Sequence, residues 1–305
     1  MISIHSTTRN NHSHRGPMDG ASVGKVPVSP SHPSCPSPVG ITGKSYISWS
    51  QVSSYQLCPK AFEFKYVLRA DPAFVPSSLV FGTAFHDAVA RVSQTDLEGA
   101  PRPSAEELAF EVSQQLRAST GVPLKLAKGE SLESLDALAS RMLSAYLAST
   151  ASHVEGTSIC IEDVVRGVVD ASVPLVEARV DHVYQRQDGS LVVRDVKTTR
   201  TKWSDDKVAE SSPQLQLYAT LLDRELEGLG KVDSLEFLTV TKAVKPVVRL
   251  HQLPVAKEGS QTLVDNLQQV WHGIESGVFP ARPGWPCKSC AFNDRCPAAI
   301  GGGAA

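Results

Sequence analysis

The chain has 305 residues, of which 41% are hydrophobic and 20% are charged, and its formal net charge at pH 7 is −2. A chain of this length can bury a substantial core, so we expect one large domain. The charge balance excludes a strongly basic nucleic-acid-binding chain and leaves a local basic groove as the form that such a site would take. Without a membrane-length apolar run or a signal-peptide core, we expect a cytoplasmic protein (host cytoplasm if phage-encoded) with no membrane partner.

The first structural boundary is predicted near residue 44. Residues 1–43 are rich in Ser, Pro, Gly and His and have no hydrophobic period, so they are predicted to form a disordered tail. The folded domain is predicted over 44–300, and its first helix begins after Ser48 or Ser50 as the N-cap. Aromatic and basic residues alternate after this helix, which suits either a nucleic-acid surface or a core helix with a basic outer face.

Helical and strand patterns then follow in series. A helical pattern begins at His86, which is a ligand candidate, although a lone His on a half-apolar helix is more often structural. Residues 104–118 and 131–149 have helical spacing and make up a predicted helical insertion over about 100–150. Strands are predicted at 161–169, 174–184, 190–198, 234–241 and 246–253, and a helix at 260–275.

A tight hairpin is predicted around Gln187-Asp188-Gly189, which separates two stretches rich in β-branched residues. A three-residue loop with Gly189 in the left-handed conformation would place Asp181 opposite Asp195, with Lys197 on the face of Asp195. Two facing carboxylates repel each other, and a divalent cation between them would remove the repulsion. The alternative is a charged hairpin face that is simply solvated.

A helix start is predicted at Ser212-Pro213, because Ser caps helices and Pro is favoured at their first position. Gln214 and Tyr218 are four residues apart and therefore share one face of this helix. They are either surface residues or part of a site.

Three of the six cysteines, Cys287, Cys290 and Cys296, lie close together near the C-terminus. In a reducing compartment this spacing favours metal ligation over disulfides. Cys58, which precedes Pro59, is the best candidate for a fourth ligand and would tie the first helix to the C-terminal segment 283–297. A structural zinc with four cysteines is one interpretation, and unligated thiols are another.

Six motifs occur in one order along residues 47–297. They are the early Cys58-Pro59 after a capped helix, Gly82-x-x-x-His86, Arg179-Val180-Asp181, Asp195-Val196-Lys197-Thr198, Gln214-x-x-x-Tyr218 and the terminal cysteine triplet. This order resembles the PD-(D/E)XK nuclease superfamily in its RecB-like branch. Within that branch it is similar to the iron–sulfur nucleases related to AddB and to the CRISPR-associated exonucleases.

The resemblance implies an α/β fold with a three-layer α/β/α, restriction-endonuclease-like core, a mixed central sheet and inserted helices. A cysteine-ligated cluster would join the N- and C-terminal parts. Mg²⁺ or Mn²⁺ would be bound by four groups: His86, Asp181, Asp195 and the carbonyl of Val196. A [4Fe–4S] cluster would be held by four cysteines: Cys58, Cys287, Cys290 and Cys296.

The resemblance also assigns roles in catalysis. Lys197 would orient or help to deprotonate the attacking water and stabilise charge on the phosphate. Gln214 and Tyr218 would support the active site and contact DNA. Two departures stand out: Ala178 occupies a position where the family usually has Gly, and the chain has no Walker A segment. A helicase, or a recombination protein, would therefore be a separate partner.

The expected function is metal-dependent DNA cleavage, as an exonuclease on single-stranded DNA or DNA ends, in recombination, repair or phage DNA processing. Lys60, Lys65, Arg200 and Lys202 are predicted to line the DNA path. The alternatives are a nuclease of CRISPR adaptation, a non-catalytic DNA-binding scaffold and a zinc-stapled structural protein.

Overall fold

The computed structural model of the chain describes residues 35–118, 121–226, 229–256 and 259–300. The helices in these ranges are α1 (Val39–Thr42), α2 (Trp49–Leu57), α3 (Pro59–Phe62), α4 (Ser77–Leu97), α5 (Ala105–Arg117), α6 (Leu132–Ala148), α7 (Asp205–Glu225), α8 (Gly259–Glu275) and α9 (Pro297–Ile300). The strands are β1 (Ile47–Ser48), β2 (Val75–Pro76), β3 (Leu124–Lys125), β4 (Thr157–Gly167), β5 (Val176–Gln185), β6 (Leu191–Thr199), β7 (Val232–Thr241) and β8 (Val248–Pro254).

Six of the strands form the central sheet in the order β1-β5-β6-β7-β8, with β4 also paired to β5. Strand β6 is antiparallel to β5 and parallel to β7, whereas β7 is antiparallel to β8. The sheet is therefore mixed, as predicted. Strands β2 and β3 form a separate two-stranded pair.

Helices cover both faces of the sheet, because successive strand residues point to opposite sides. Phe237 of β7 packs into a cluster with residues of α2, α7 and α8, and the next residue, Leu238, packs into a second cluster with α4, α5 and α6. The predicted α/β fold with helices on both faces is confirmed. Helices α5 and α6, predicted as an insertion, complete the second cluster.

A buried ion pair fixes β6 beside β7 and beside the segment that follows α6. Arg194 lies 2.8 Å from Glu236 through both Nε and Nη2, and both residues are under 5% exposed. Tyr184 donates to the same carboxylate, and Arg194 also donates to the Ala151 carbonyl at 2.9 Å. Because a buried charge without its partner is costly, this network holds the strand that carries Asp195 in one position.

Serine caps mark where α2 and α7 begin. Ser48 caps α2, as predicted, by accepting a hydrogen bond from Gln51 N at 3.3 Å. Two predicted starts were wrong: α4 begins at Ser77, nine residues before His86, and α7 begins after Ser204 rather than at Ser212. Pro213 lies inside α7, since complete burial of apolar residues such as Leu215 offsets the lost backbone hydrogen bond.

Residues 1–34 of the predicted tail lie outside the described residues. The helical turn α1 falls within the range predicted as tail, and Thr42 in it is only 5% exposed. Helical structure therefore begins before the predicted boundary at residue 44.

None of the helices in the described part of the chain combines the length and the apolar character that a membrane-spanning helix needs.

Two helix glycines give opposite expectations for an added methyl group. A Cβ at Gly273 in α8 would lie 2.1 Å from Tyr55 Oη, which donates to the Val278 carbonyl at 2.6 Å. A Cβ at Gly82 in α4 would meet no atom closer than Thr198 Oγ1 at 3.9 Å.

We expect Gly273→Ala to lower the free energy of unfolding by about 1–3 kcal/mol through overpacking. Gly82→Ala should be neutral or stabilising by up to about 1 kcal/mol, because Ala is the better helix former. Urea unfolding of the two variants measures the difference. Equal effects of the two substitutions would contradict the tight packing of Tyr55 on α8.

Candidate active site

The hairpin of β5 and β6 has the predicted loop and register. Val183 is opposite Val193, and the last pair toward the site is His182 with Arg194. The turn is closed by the Arg186 amide, which donates to the Ser190 carbonyl at 2.9 Å, and Gly189 has a φ of 85°. The left-handed glycine predicted from the sequence is confirmed.

The two strands diverge beyond this last pair, so Asp181 and Asp195 are neighbours but are not paired in the ladder. This corrects the prediction that they lie directly opposite each other. Beyond the last pair, Asp181 Oδ2 accepts a hydrogen bond from Val196 N at 2.7 Å, so the Asp181 side chain binds the β6 backbone there.

Asp195 is the least satisfied polar side chain of the site. It is 1% exposed, and neither of its carboxylate oxygens accepts a hydrogen bond from any described residue. Lys197 Nζ lies 2.7 Å from Asp195 Oδ2, which is ion-pair distance without hydrogen-bond geometry. Asp195 and Lys197 therefore share a face of β6, as predicted.

The pKa values of the two aspartates are shifted in opposite directions. Burial, reinforced by Asp181 and opposed by Lys197, raises the pKa of Asp195 to about 6. Burial acts the same way on Asp181, but the attraction of His86 and Lys197 outweighs it and lowers the pKa of Asp181. For Lys197, burial is outweighed by Asp195 and Asp181, which raise its pKa and keep the ammonium protonated.

His86 on α4 reaches the carboxylates from the face of the sheet that α4, α5 and α6 cover. Its Nδ1 lies 3.2 Å from Asp181 Oδ2 and 4.0 Å from Glu162 Oε1. One ligand atom from each of these three residues lies within 4.8 Å of the others, which is close enough to hold one metal ion. Burial lowers the pKa of His86, but the charge of Asp181 reverses the shift and raises it.

Glu162 on β4 was not identified from the sequence. Burial and the charge of Asp181 raise its pKa to about 7, although His86 and Arg179 oppose the shift. In the sequence the position is one acidic residue inside a predicted strand, and it belongs to none of the six motifs. The register places Glu162 beside Asp181, but that register is known only from the folded chain.

Helix α7 brings Gln214 and Tyr218 together, as their spacing predicted. Gln214 Nε2 donates to Tyr218 Oη at 2.5 Å, and Tyr218 is 4% exposed. Burial and the charges of Asp195 and Asp181 raise the pKa of Tyr218 well above its ordinary value. The phenol therefore stays protonated near the two carboxylates and can donate a hydrogen bond there.

The four cysteines predicted as ligands line one cavity of about 490 Å³ between the N-terminus of α3 and the C-terminal segment. They are Cys58, Cys287, Cys290 and Cys296. No three of their sulfurs lie within 4.8 Å of one another. Burial raises the pKa of Cys290, and the other three thiols contribute to the shift. Cys35 and Cys160 do not line this cavity.

The lysines and arginine predicted to line a DNA path occupy two regions. Lys60 lies beside the cysteine cavity and pairs with Glu63 at 2.5 Å, and Lys65 lies over the Tyr66 ring. Arg200 and Lys202 are exposed just beyond β6, five residues or fewer from Lys197.

The sequence profile of the PD-(D/E)XK nuclease superfamily matches residues 46–297. The chain belongs to this superfamily. The match covers every strand and every site residue described above. No curated protein matches the chain in sequence.

Two solved structures have been superposed on this superfamily member. The structure of a Eubacterium rectale protein named "Putative exonuclease" superposes with a TM-score of 0.51 at 11% identity, covering 86% of this chain and 89% of that one. The protein SSO0001 gives a TM-score of 0.35 at 15% identity, covering 75% of this chain and 88% of that one. At such identities, the first superposition establishes the likeness of fold alone.

The raised pKa of Glu162 predicts a pH-dependent stability of the cation-free protein. The folded chain keeps this proton up to about pH 7, whereas the unfolded chain loses it near the ordinary value of 4.5. The folded state therefore binds more protons between these values, and stability falls as pH rises through the window.

We expect Glu162→Gln to remove this loss. The free energy of unfolding of the variant, relative to the unsubstituted protein, should be about 1–3 kcal/mol more favourable at pH 8 than at pH 5. Urea unfolding in EDTA at both pH values tests this. The same difference at both values would contradict the raised pKa.

Proposed function

We propose that the chain is a divalent-metal-dependent DNA nuclease that acts as an exonuclease on single-stranded DNA or DNA ends. The observation that carries this proposal is the buried carboxylate of Asp195, which has no hydrogen bond and lies beside Asp181 and Lys197. Membership of the PD-(D/E)XK superfamily supports the nuclease class. The name of the Eubacterium rectale protein agrees with an exonuclease.

The predicted donors are of the chemical type that binds Mg²⁺ or Mn²⁺, while the described side chains close enough together to hold one ion are His86, Asp181 and Glu162, without Asp195. Asp181, Asp195 and the Val196 carbonyl supply hard oxygen atoms, and His86 adds an imidazole nitrogen that Mn²⁺ accepts more readily than Mg²⁺. Asp195 Oδ2 lies beside the Lys197 ammonium, and Oδ1 has no hydrogen-bond donor among the described residues. Bound by these groups, the ion would supply an activated water and neutralise charge on the phosphate.

Lys197 supplies positive charge rather than a proton acceptor. Its ammonium is kept protonated by Asp195 and Asp181, and 28% of its side chain is exposed. A substrate phosphate can therefore reach it, and the ammonium can stabilise the negative charge that develops during cleavage. Tyr218, held by Gln214, presents a protonated hydroxyl to the same region.

Catalysis explains these carboxylates better than a non-catalytic scaffold does. Burying an ion pair costs about as much as its attraction returns, so a scaffold would lose no stability with apolar residues in place of both Asp195 and Lys197. Ala178, at the position where the family usually has Gly, is 2% exposed and packs in the core cluster. The departure at Ala178 therefore leaves the carboxylates unchanged.

The RecB-like branch is part of this proposal, with a role in recombination, repair or phage DNA processing and DNA as the partner. The order of the six motifs supports it. A separate helicase or recombination protein would complete such a system, because the sequence has no Walker A segment.

We also propose that the four cysteines of the cavity hold a [4Fe–4S] cluster. Four sulfurs around one zinc, at Zn–S distances of about 2.3 Å, would lie about 3.8 Å apart. Since no three of these sulfurs lie within 4.8 Å of one another, a larger group bound by four thiolates suits their spread better than a single zinc. The cluster would join the end of α2 to the C-terminal segment.

We expect Asp195→Asn to lower the rate of DNA cleavage at least about 10²-fold, because it removes a charged metal ligand, while DNA binding is retained. Asp188→Asn is the matched control, since Asp188 lies in the exposed turn of the same hairpin and accepts hydrogen bonds from Ser190. Digestion of end-labelled DNA with Mg²⁺, Mn²⁺ or EDTA gives both rates. Unchanged cleavage by Asp195→Asn protein would disprove the site assignment.

We expect Cys287→Ser to reduce iron from about four atoms per chain to near zero in anaerobically purified protein and to lower the melting temperature. Cys35→Ser, at a cysteine outside the cavity, should keep the iron. Metal analysis and the visible absorption spectrum decide the outcome. Full iron content in the Cys287 variant, or one zinc per chain in the unsubstituted protein, would refute the cluster.

A further inference from the structure

The most exposed aromatic side chain in the described part of the chain lies in the segment that borders the cysteine cavity. Trp285 is 78% exposed, although tryptophan is highly buried on average. It begins a 3₁₀-helical turn, Trp285–Ser289, and it is not one of the residues that line the cavity. The indole ring therefore faces solvent, and packing within the fold does not account for its presence.

Hydrogen bonds to the first helices fix the segment that carries Trp285. Arg282 Nη1 donates to the Gln56 carbonyl of α2 at 2.6 Å, and the Lys60 amide of α3 donates to the Pro280 carbonyl at 3.3 Å. A ring on a backbone held in this way loses little conformational freedom when a ligand binds it, which favours binding.

The charge beside the ring is positive. Lys288 follows Trp285 by three residues, and side chains with this spacing lie on one face of a 3₁₀ turn. Both side chains are exposed. Lys60 and Arg282 line the adjacent cavity together with Lys288, and none of the described residues that line it is acidic. An anionic chain is therefore attracted to the surface where the ring is exposed.

Phe110 on α5 provides a contrast, because it is the other aromatic residue among the exposed large hydrophobics. It is 63% exposed, but Glu106 and Glu107 precede it by four and three residues and so lie on its face of the helix. That surface repels an anionic chain. Positive charge beside the ring thus distinguishes Trp285 from an aromatic residue that is merely exposed.

We propose that Trp285 is a stacking site for a base of single-stranded DNA, with Lys288 on the adjoining phosphate. This rests on the proposed function and deepens it, because it specifies an unpaired strand as the bound form of DNA. Single-strand binding sites combine an aromatic ring, on which a base stacks, with basic side chains that follow the backbone. A duplex covers the faces of its bases, so an unpaired base is the one that can stack on the ring.

The test measures DNA affinity in EDTA, where the proposed nuclease does not cut. Anaerobically purified full-length protein is titrated into three labelled ligands: an oligomer of thymidylate, an abasic oligomer of the same length, and the thymidylate oligomer annealed to its complement. Fluorescence anisotropy gives each Kd. We expect Trp285→Ala to raise the Kd for the single-stranded thymidylate oligomer about 5- to 150-fold, the effect of losing one stacked base, and to leave the other two unchanged.

Two further variants act as controls for the ring. Trp285→Phe should keep most of the affinity, because phenylalanine retains an aromatic face. Phe110→Ala removes an exposed ring from an acidic surface and should leave every Kd unchanged.

Lys288→Ala tests the phosphate contact separately. The slope of log Kd against log salt concentration for the thymidylate oligomer should fall by about 0.7, the contribution of one phosphate of a single strand. An unchanged slope overturns the role of Lys288.

Three results would overturn the stacking site. They are an unchanged Kd for Trp285→Ala, an equal loss of affinity for the abasic oligomer or the duplex, and a Trp285→Phe protein as weak as Trp285→Ala. A melting temperature of Trp285→Ala below that of the unsubstituted protein also overturns it, because the ring would then stabilise the fold itself.

Cleavage keeps the two proposals apart. An active nuclease whose Trp285→Ala variant binds single-stranded DNA with unchanged affinity overturns the stacking site alone. A protein that binds single-stranded DNA through Trp285 but cuts no DNA with any metal supports the stacking site and overturns the proposed function.

Discussion

The repulsion between buried carboxylates is the constraint on which this structure depends. Asp195 is enclosed without a hydrogen bond, and Asp181 lies beside it with one oxygen fixed by the Val196 amide. Without a cation, the charges of Lys197 and His86 offset this repulsion. Such an arrangement lowers the stability of the fold, so we infer that binding and cleavage of substrate are what it provides in return.

The three layers of the fold meet at these carboxylates. Helix α4 brings His86 from one face of the sheet, and α7 brings Tyr218 near them from the other face. The position of β6 between these helices is set by the buried pair of Arg194 and Glu236, one residue before Asp195. The site is therefore held by the same packing that makes the domain stable.

Features that short-range interactions determine could be predicted from the sequence, and features that long-range packing determines could not. The hairpin register was predictable because Gly189 and a short loop determine it locally. Glu162 was missed because it belongs to none of the six motifs, and its left-handed φ of +51° appears only in the folded ladder between β4 and β5. The start of α7 was misplaced because long-range packing outweighs the local preference of Pro213. The cysteine spacing predicted a shared cavity, but the distances between the sulfurs depend on the fold.

The most direct measurement is digestion of end-labelled linear DNA, single- and double-stranded, and of closed circular DNA by anaerobically purified protein. The account predicts loss of linear DNA with Mg²⁺ or Mn²⁺, intact circles and no cleavage in EDTA. Cleavage of closed circles would contradict the exonuclease assignment. Intact DNA with every metal, from folded protein, would contradict the nuclease assignment itself.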